Sequence, residues 1–258
     1  MAETAAAERI RDTLTSRPVG IAGLDDLGLA IARRLVAYGL RIVGWDRDVG
    51  RRGALRALGG LADVAANTAD LGHECDVVLS TLPAGELASA AFGDADRPGF
   101  ALHMASGSLL VDMGIAMPSD AQRLAMVLGR GGIGVVDAPA LGEPRAAESG
   151  AMVVPVGGFG EFVDRLEPLL ALVGEVRRAG TQGRGHALAA LIVYRRHGEA
   201  EAARAALDVA LASGLPPELV ADLAAAAAAG PPADDPRLAV ARRLAAEHTR
   251  HPLRKASG

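Results

Sequence analysis

Lysine is nearly absent from this 258-residue chain: the one lysine is Lys255, in the tail. Cysteine is as scarce. Cys75 alone excludes an intrachain disulfide and any cage of cysteines around a metal. It sits in the apolar run CDVVLS and reads as a buried thiol. Aromatic residues make up 3% of the chain, so a core must be built from Ala, Leu and Val. Long apolar runs are missing too. No stretch of about 18 residues is free of charge, which argues against a membrane span. The opening MAETAAAERIRDTLTSRP mixes acids with arginines and lacks the apolar centre of a signal peptide, so a cytoplasmic location is expected. With a net charge of −4 and no basic domain, nucleic acid is not an expected partner. No metal site is expected.

What is present is alternation. Short apolar runs and helix-period segments follow one another through the first two-thirds of the chain, the pattern of strand–helix–strand units on a parallel sheet. Strands are expected over 19–23, 40–45, 76–81, 109–112, 133–137 and 151–156. Helices are expected over 27–38, 51–58, 119–129 and 159–172. Gly39 is placed to end the first helix. From residue 180 the pattern turns almost wholly helical. The fold class is therefore α/β, a Rossmann-like parallel-sheet domain over 1–179, followed by a reduced all-helical domain over 180–258.

The most informative stretch is VGIAGLDDLGLAIARRL. A glycine fingerprint, G-x-G-x-x-G, belongs between such a strand and such a helix, and Asp46 ends the next strand 23 residues after Gly23, as a dinucleotide site requires. The cofactor-contacting set is Gly23, Leu24, Asp25, Asp26, Leu27 and Gly28, with Asp46 and Arg47. Gly23 allows the turn, and Gly28 lets the helix pack on the sheet. Asp46 suits the ribose hydroxyls of NAD. Arg47, Arg51 and Arg52 suit a 2′-phosphate of NADP. The reading is NAD or NADP, leaning to NAD, with no bound cofactor as the other outcome.

Asp25 stands where the middle glycine belongs. A carboxylate ~4 Å from a pyrophosphate, at an effective dielectric of ~20, is repelled by up to ~4 kcal/mol per charge pair. That is roughly a thousandfold in affinity. Three arrangements are open: Asp25 turned outward, Asp25 or Asp26 capping the helix N-terminus in place of a phosphate, or an adapted mode of ligand binding.

These motifs, taken in order, resemble the β-hydroxyacid dehydrogenases, the group of 3-hydroxyisobutyrate and tartronate semialdehyde reductases, whose relatives include imine reductases and whose first domain is of the 6-phosphogluconate dehydrogenase NAD(P)-binding type. The resemblance runs from the glycine turn through DVVLSTLP, VDMGIAMP and DAPALGEPRAAESGAMVVPVGG to GTQGRG. It implies hydride transfer between a nicotinamide and a small-molecule substrate, a homodimer formed through the helical domain, and Leu82 and Pro83 lining the cofactor groove.

The resemblance also locates the chemistry, and there the pattern fails. The family's carboxylate-binding serine and threonine fall on Gly114 and Ile115. Its second substrate-loop serine falls on Leu141, beside Gly142. Its proton-carrying lysine falls on Ala189, and its asparagine pair on Ile192 and Val193. Every one of these positions is apolar or lacks a side chain. His186, on the helix face of Ala189, and Tyr194 are the remaining candidate proton donors. The expectation is a divergent NAD(P)-dependent oxidoreductase homologue that does not oxidise hydroxyacids through a lysine. Two alternatives stay open: an imine- or ketone-reductase-like enzyme for an apolar substrate, and a catalytically silent binding or scaffold protein.

Overall fold

A computed structural model of the chain describes residues 8, 10, 12, 14–93, 97–114 and 116–196. Its centre is an eight-stranded sheet. In chain order the elements are β1 (Val19–Ala22), α1 (Asp26–Ala37), β2 (Ile42–Trp45), α2 (Val49–Arg56), β3 (Ala62–Val64), α3 (Thr68–Glu74), β4 (Val77–Ser80) and α4 (Ala84–Phe92). Then follow β5 (Leu109–Asp112), α5 (Pro118–Gly129), β6 (Gly134–Asp137), α6 (Pro144–Ser149), β7 (Met152–Gly157), α7 (Gly160–Val173), β8 (Gly174–Gly180) and α8 (Arg184–Arg196).

The strand order is β3-β2-β1-β4-β5-β6-β7-β8. All neighbours are parallel except β6 and β7. The first six strands have the order of a dinucleotide-binding fold, and the order reverses beside β1, where the chain crosses to β4. The inner strands VGIA, VVLS, LLVD and GVVD are buried along their whole length, as parallel strands with helices on both faces must be.

Two apolar layers result. One packs β1, β4 and β7 against α1 and α7, through Ile21, Ile31, Leu35, Val154 and Leu166. The other packs α3, α4 and α5 on the opposite face, through Leu71, Leu87, Phe100 and Leu128. Among the described residues, Phe100 is the one aromatic of the largest fully buried side chains, and the core is otherwise aliphatic, as the composition requires. Cys75 is fully buried. Burial and the neighbouring Glu74 push its thiol up to about 12, and so keep it unreactive.

The expected strands and helices are present, with additions. β3, α3, α4, α6 and β8 were not expected, and β7 joins the sheet antiparallel to β6 rather than parallel. The connection between these two strands carries only the six-residue helix α6, which packs against α1. Gly39, at φ +80°, ends the first helix. α8 lies in the region, 180–258, expected from the sequence to be helical. The rest of that region, from 197 to 258, lies outside the described residues, as does Ile115. No helix among the described residues is long and apolar enough to cross a membrane.

Candidate functional site: two glycine turns at the ends of the strands

The first turn follows β1. Gly23 takes φ +97°, a conformation that favours glycine. A Cβ on Gly28 would fall 2.1 Å from the Gly23 carbonyl oxygen, so a helix can start this close to the strand only with glycine there. Asp25 is the N-cap of α1, with extended backbone, and its Oδ1 accepts from the Gly28 amide at 2.9 Å. The Thr81 hydroxyl, at the end of β4, lies 3.1 Å from the same Oδ1 and 3.1 Å from the Gly23 carbonyl. Of the three arrangements open for Asp25, the self-capping one is observed. The carboxylate sits where a pyrophosphate would approach the helix N-terminus. Leu24 is buried, Leu27 half-buried and Asp26 exposed.

Asp46 is 4% exposed. One oxygen accepts from the Leu24 amide at 2.7 Å, and the other from the Asp48 amide at 2.8 Å. The Arg51 guanidinium stands 3.5 Å from the first. Asp46 therefore braces the glycine turn, and its acceptor capacity is largely used within the chain. Beside it lies a cavity of about 360 Å³, lined by Trp45, Asp46, Arg47, Arg51, Leu82 and Arg97 among others. Cationic side chains around a pocket beyond β2 suit an anionic group on a ribose. Pro83, exposed, precedes α4.

The second turn, GTQGRG, precedes α8. Asp137, at the end of β6, is fully buried. It accepts from the Gly183 amide at 2.7 Å, the Gln182 side-chain amide at 3.0 Å and the His186 amide at 3.1 Å. Burial pushes its carboxyl up to about 6, against the opposing pull of His186 and the two backbone donors. The site around it is glycine-lined. A Cβ on Gly157 or Gly185 would fall 2.8 or 2.7 Å from its oxygens. His186, 3% exposed, places its ring Nε2 3.1 Å from Asp112 Oδ2. Asp112 Oδ1 accepts from the Gly114 amide at 3.1 Å.

Between the turns, the loops after β4 and β5 are closed on each other. A Cβ on Gly114 would lie 2.0 Å from the Leu82 carbonyl oxygen. Leu141 is 3% exposed and bridges to Val153, with Gly142 at φ +145° beside it. Ala189 and Ile192 are buried on α8. Val193 and Tyr194 belong to α8, and their side chains lie outside the described residues. His186 is brought to Asp112 rather than into an open cleft. The expectation of a proton donor at this position meets a ring already hydrogen-bonded and enclosed. Thr81, Asp112 and Gln182 were not singled out from sequence. Each is defined by a partner 45 to 74 residues away, or by a hydroxyl within reach of a turn 56 residues earlier.

A Rossmann sheet whose glycine turn lies at the strand-order reversal defines the dinucleotide-binding fold. The model of the NAD-binding domain of 6-phosphogluconate dehydrogenase matches residues 18–183, and the chain belongs to that family, within the β-hydroxyacid dehydrogenase group. It is 29% identical over 220 residues to rat mitochondrial 3-hydroxyisobutyrate dehydrogenase, covering 83% of this chain and 63% of that one. It is 27% identical over 172 residues to 2-(hydroxymethyl)glutarate dehydrogenase of Eubacterium barkeri, covering 66% and 56%. The chain thus spans about six-tenths of these relatives' length. Among solved structures, 3-hydroxyisobutyrate dehydrogenase of Salmonella typhimurium superposes with a TM-score of 0.63 at 26% identity, over 90% of this chain and 78% of that one. An imine reductase of Myxococcus stipitatus in complex with NADP+ gives 0.64 at 18%, over 80% and 70%, a likeness of fold alone.

Proposed function

We propose that the chain is an NAD(P)-fold oxidoreductase homologue that has given up lysine-dependent hydroxyacid oxidation, and that binds dinucleotide only when Asp25 vacates the phosphate turn. The observation that carries this reading is the state of the chemical positions. Ala189, at the place of the family's proton-carrying lysine, is buried. Gly114, at the place of its carboxylate-binding serine, is packed so tightly on the Leu82 carbonyl that no side chain fits. Among the described side chains, a substrate carboxylate finds neither a hydroxyl nor a cation at these positions.

The cofactor class of the family is NAD(P), and the two halves of the crevice differ in their fit to it. The cavity beside Asp46 suits the adenosine end, with Arg47 and Arg51 offering charge to a phosphate. The turn does not suit the pyrophosphate while the Asp25 carboxylate holds the Gly28 amide. A nicotinamide supplies hydride chemistry where it binds. This chain's own residues offer no proton-transfer group to accompany it among the described side chains at the family's substrate positions.

The reading of an imine- or ketone-reductase-like enzyme is supported by the apolar character of Leu141 and Ala189, but His186 is not free to serve as its donor. Assay of 3-hydroxyisobutyrate, L-serine and related β-hydroxyacids with NAD and with NADP tests the proposal. The expected result is no turnover above a blank, including in an Ala189→Lys variant. Turnover by the native chain overturns it.

A further inference from the structure

Asp112 and Asp137 end adjacent strands and are direct register partners in the β5–β6 ladder. Two carboxylates are thus buried side by side at the same edge of the core, 2% and 0% exposed. Neither belongs to the altered substrate positions. One residue joins them. The backbone amide of His186 donates to Asp137, and its ring nitrogen meets Asp112. His186 lies in the first turn of α8, so this turn is tied to two strands through a single residue.

We propose that His186 is a protonation-operated latch: its backbone amide stays on the Asp137 carboxyl of β6 while its ring, as an imidazolium, holds the Asp112 carboxylate of β5 and seats the first turn of α8 on the sheet, and loss of the ring proton loosens that seat.

The geometry requires a donor at Nε2, because a carboxylate oxygen opposite it only accepts. A neutral ring can supply that donor, but it leaves two buried carboxylates without a compensating charge, an expensive arrangement. Among the described residues, the titratable groups that act most strongly on His186 are acids, Asp112 from β5, Asp137 from β6 and Asp120 from α5, while Arg184 on its own helix lies against Gly180. Strand β7, on which α8 also packs, carries no ionisable residue. On β8 the arginines are engaged elsewhere, Arg178 with Asp164 and Glu167, and Arg177 with Glu175. Burial opposes the charged ring. The Asp112 carboxylate, its hydrogen bond and the two further acids outweigh that, and the ring is held above its ordinary value.

The sign follows. A histidine raised in the folded state contributes stability that is fully present below its ordinary value near 6.5, and that is lost as pH rises through the folded value. The latch is closed in mildly acidic solution and opens on the alkaline side. Because the amides of Gly183 and His186 depend on the same network, the turn before α8 loosens with it. This inference does not rest on how the Asp25 turn treats a dinucleotide.

The test is an NMR titration of the full chain between pH 5 and 9, following the His186 imidazole and the amides of Gly183 and Gly185 together. The expected result is an imidazole midpoint above that of free histidine, with both glycine amides shifting at the same midpoint. In His186→Gln, whose side-chain amide can still donate to Asp112 without titrating, the glycine amide shifts that track the imidazole midpoint are lost, and only a step near 6 from Asp137, the direct acceptor of the Gly183 amide, remains. A His186 midpoint at or below that of free histidine overturns the proposal. So do glycine amides that ignore the imidazole. Retention of the native amide shifts in His186→Gln overturns it as well, and the first two results need only the native chain.

Discussion

Helices α1 and α8 both start at a glycine turn beyond the end of a strand, and both N-termini are filled by an aspartate of this same chain. The two aspartates reach them differently. Asp25 is three residues from the amide it caps and half-exposed, at the point where the strand order reverses. Asp137 comes from 46 residues away, is fully buried, and takes three donors inside a glycine-lined pocket. The near cap can be displaced by a ligand or moved by a rotamer change. The far cap cannot leave without unpicking the junction between β6, β7 and α8. On the proposed reading, one terminus is a binding site held shut and the other is architecture. That contrast fits the proposal that the framework of the family persists here without its chemical side chains.

The comparison is broken most severely at the far cap. Asp137→Ala leaves two backbone amides and the Gln182 side chain without their acceptor in a buried site. Since each such loss costs ~1–3 kcal/mol, urea denaturation of Asp137→Ala is expected to show a loss of several kcal/mol or failure to fold. At the near cap, Asp25→Gly is expected to cost only a few tenths of a kcal/mol, because glycine is itself a tolerable N-cap. The two denaturation curves side by side test whether one cap is structural and the other dispensable.

A second contrast is in pH. The Asp137 carboxyl is raised to about 6 from 3.8, so the folded chain holds that proton more tightly than the unfolded one. Stability from this group is fully present below its unfolded value and is lost as pH rises through about 6, by roughly 3 kcal/mol at 1.36 kcal/mol per unit. The difference in unfolding free energy between native chain and Asp137→Asn is expected to shrink or reverse over that window, measured by urea denaturation from pH 4 to 7. A constant difference would remove Asp137 as the source.

Smaller effects sharpen the account of the closed cleft. Gly114→Ser restores the family residue but drives its Cβ onto the Leu82 carbonyl, so a cost of about 1–3 kcal/mol is expected from overpacking. It is expected to yield no hydroxyacid activity, as assayed by NADH formation. A Gly114→Ser chain as stable as the native one would show that the β4 and β5 loops part readily.

Much of the fold could be read from the chain because its strands are fully buried runs and α1, α5 and α7 have clear apolar faces. β8, GEVRRAG, escaped notice because it is the edge strand and carries Glu175, Arg177 and Arg178, leaving no apolar alternation to see. β3 is three residues long, and α3 and α6 are seven and six, too short for a helical period to register. At the site, Asp25 could be weighed as a cap because a cap is local. Thr81, the second partner of its carboxylate, could not, nor could the approach of His186 to Asp112 from 74 residues away. Those contacts exist only once parallel crossovers have brought strand ends together.

The central claim is that Asp25 occupies the phosphate turn. Calorimetric titration of the native chain and of Asp25→Gly with NADH and with NADPH tests it most directly. The expected result is weak or undetectable binding by the native chain, and binding tightened by up to about a thousandfold in Asp25→Gly. Tight binding by the native chain, unchanged in the variant, would contradict it.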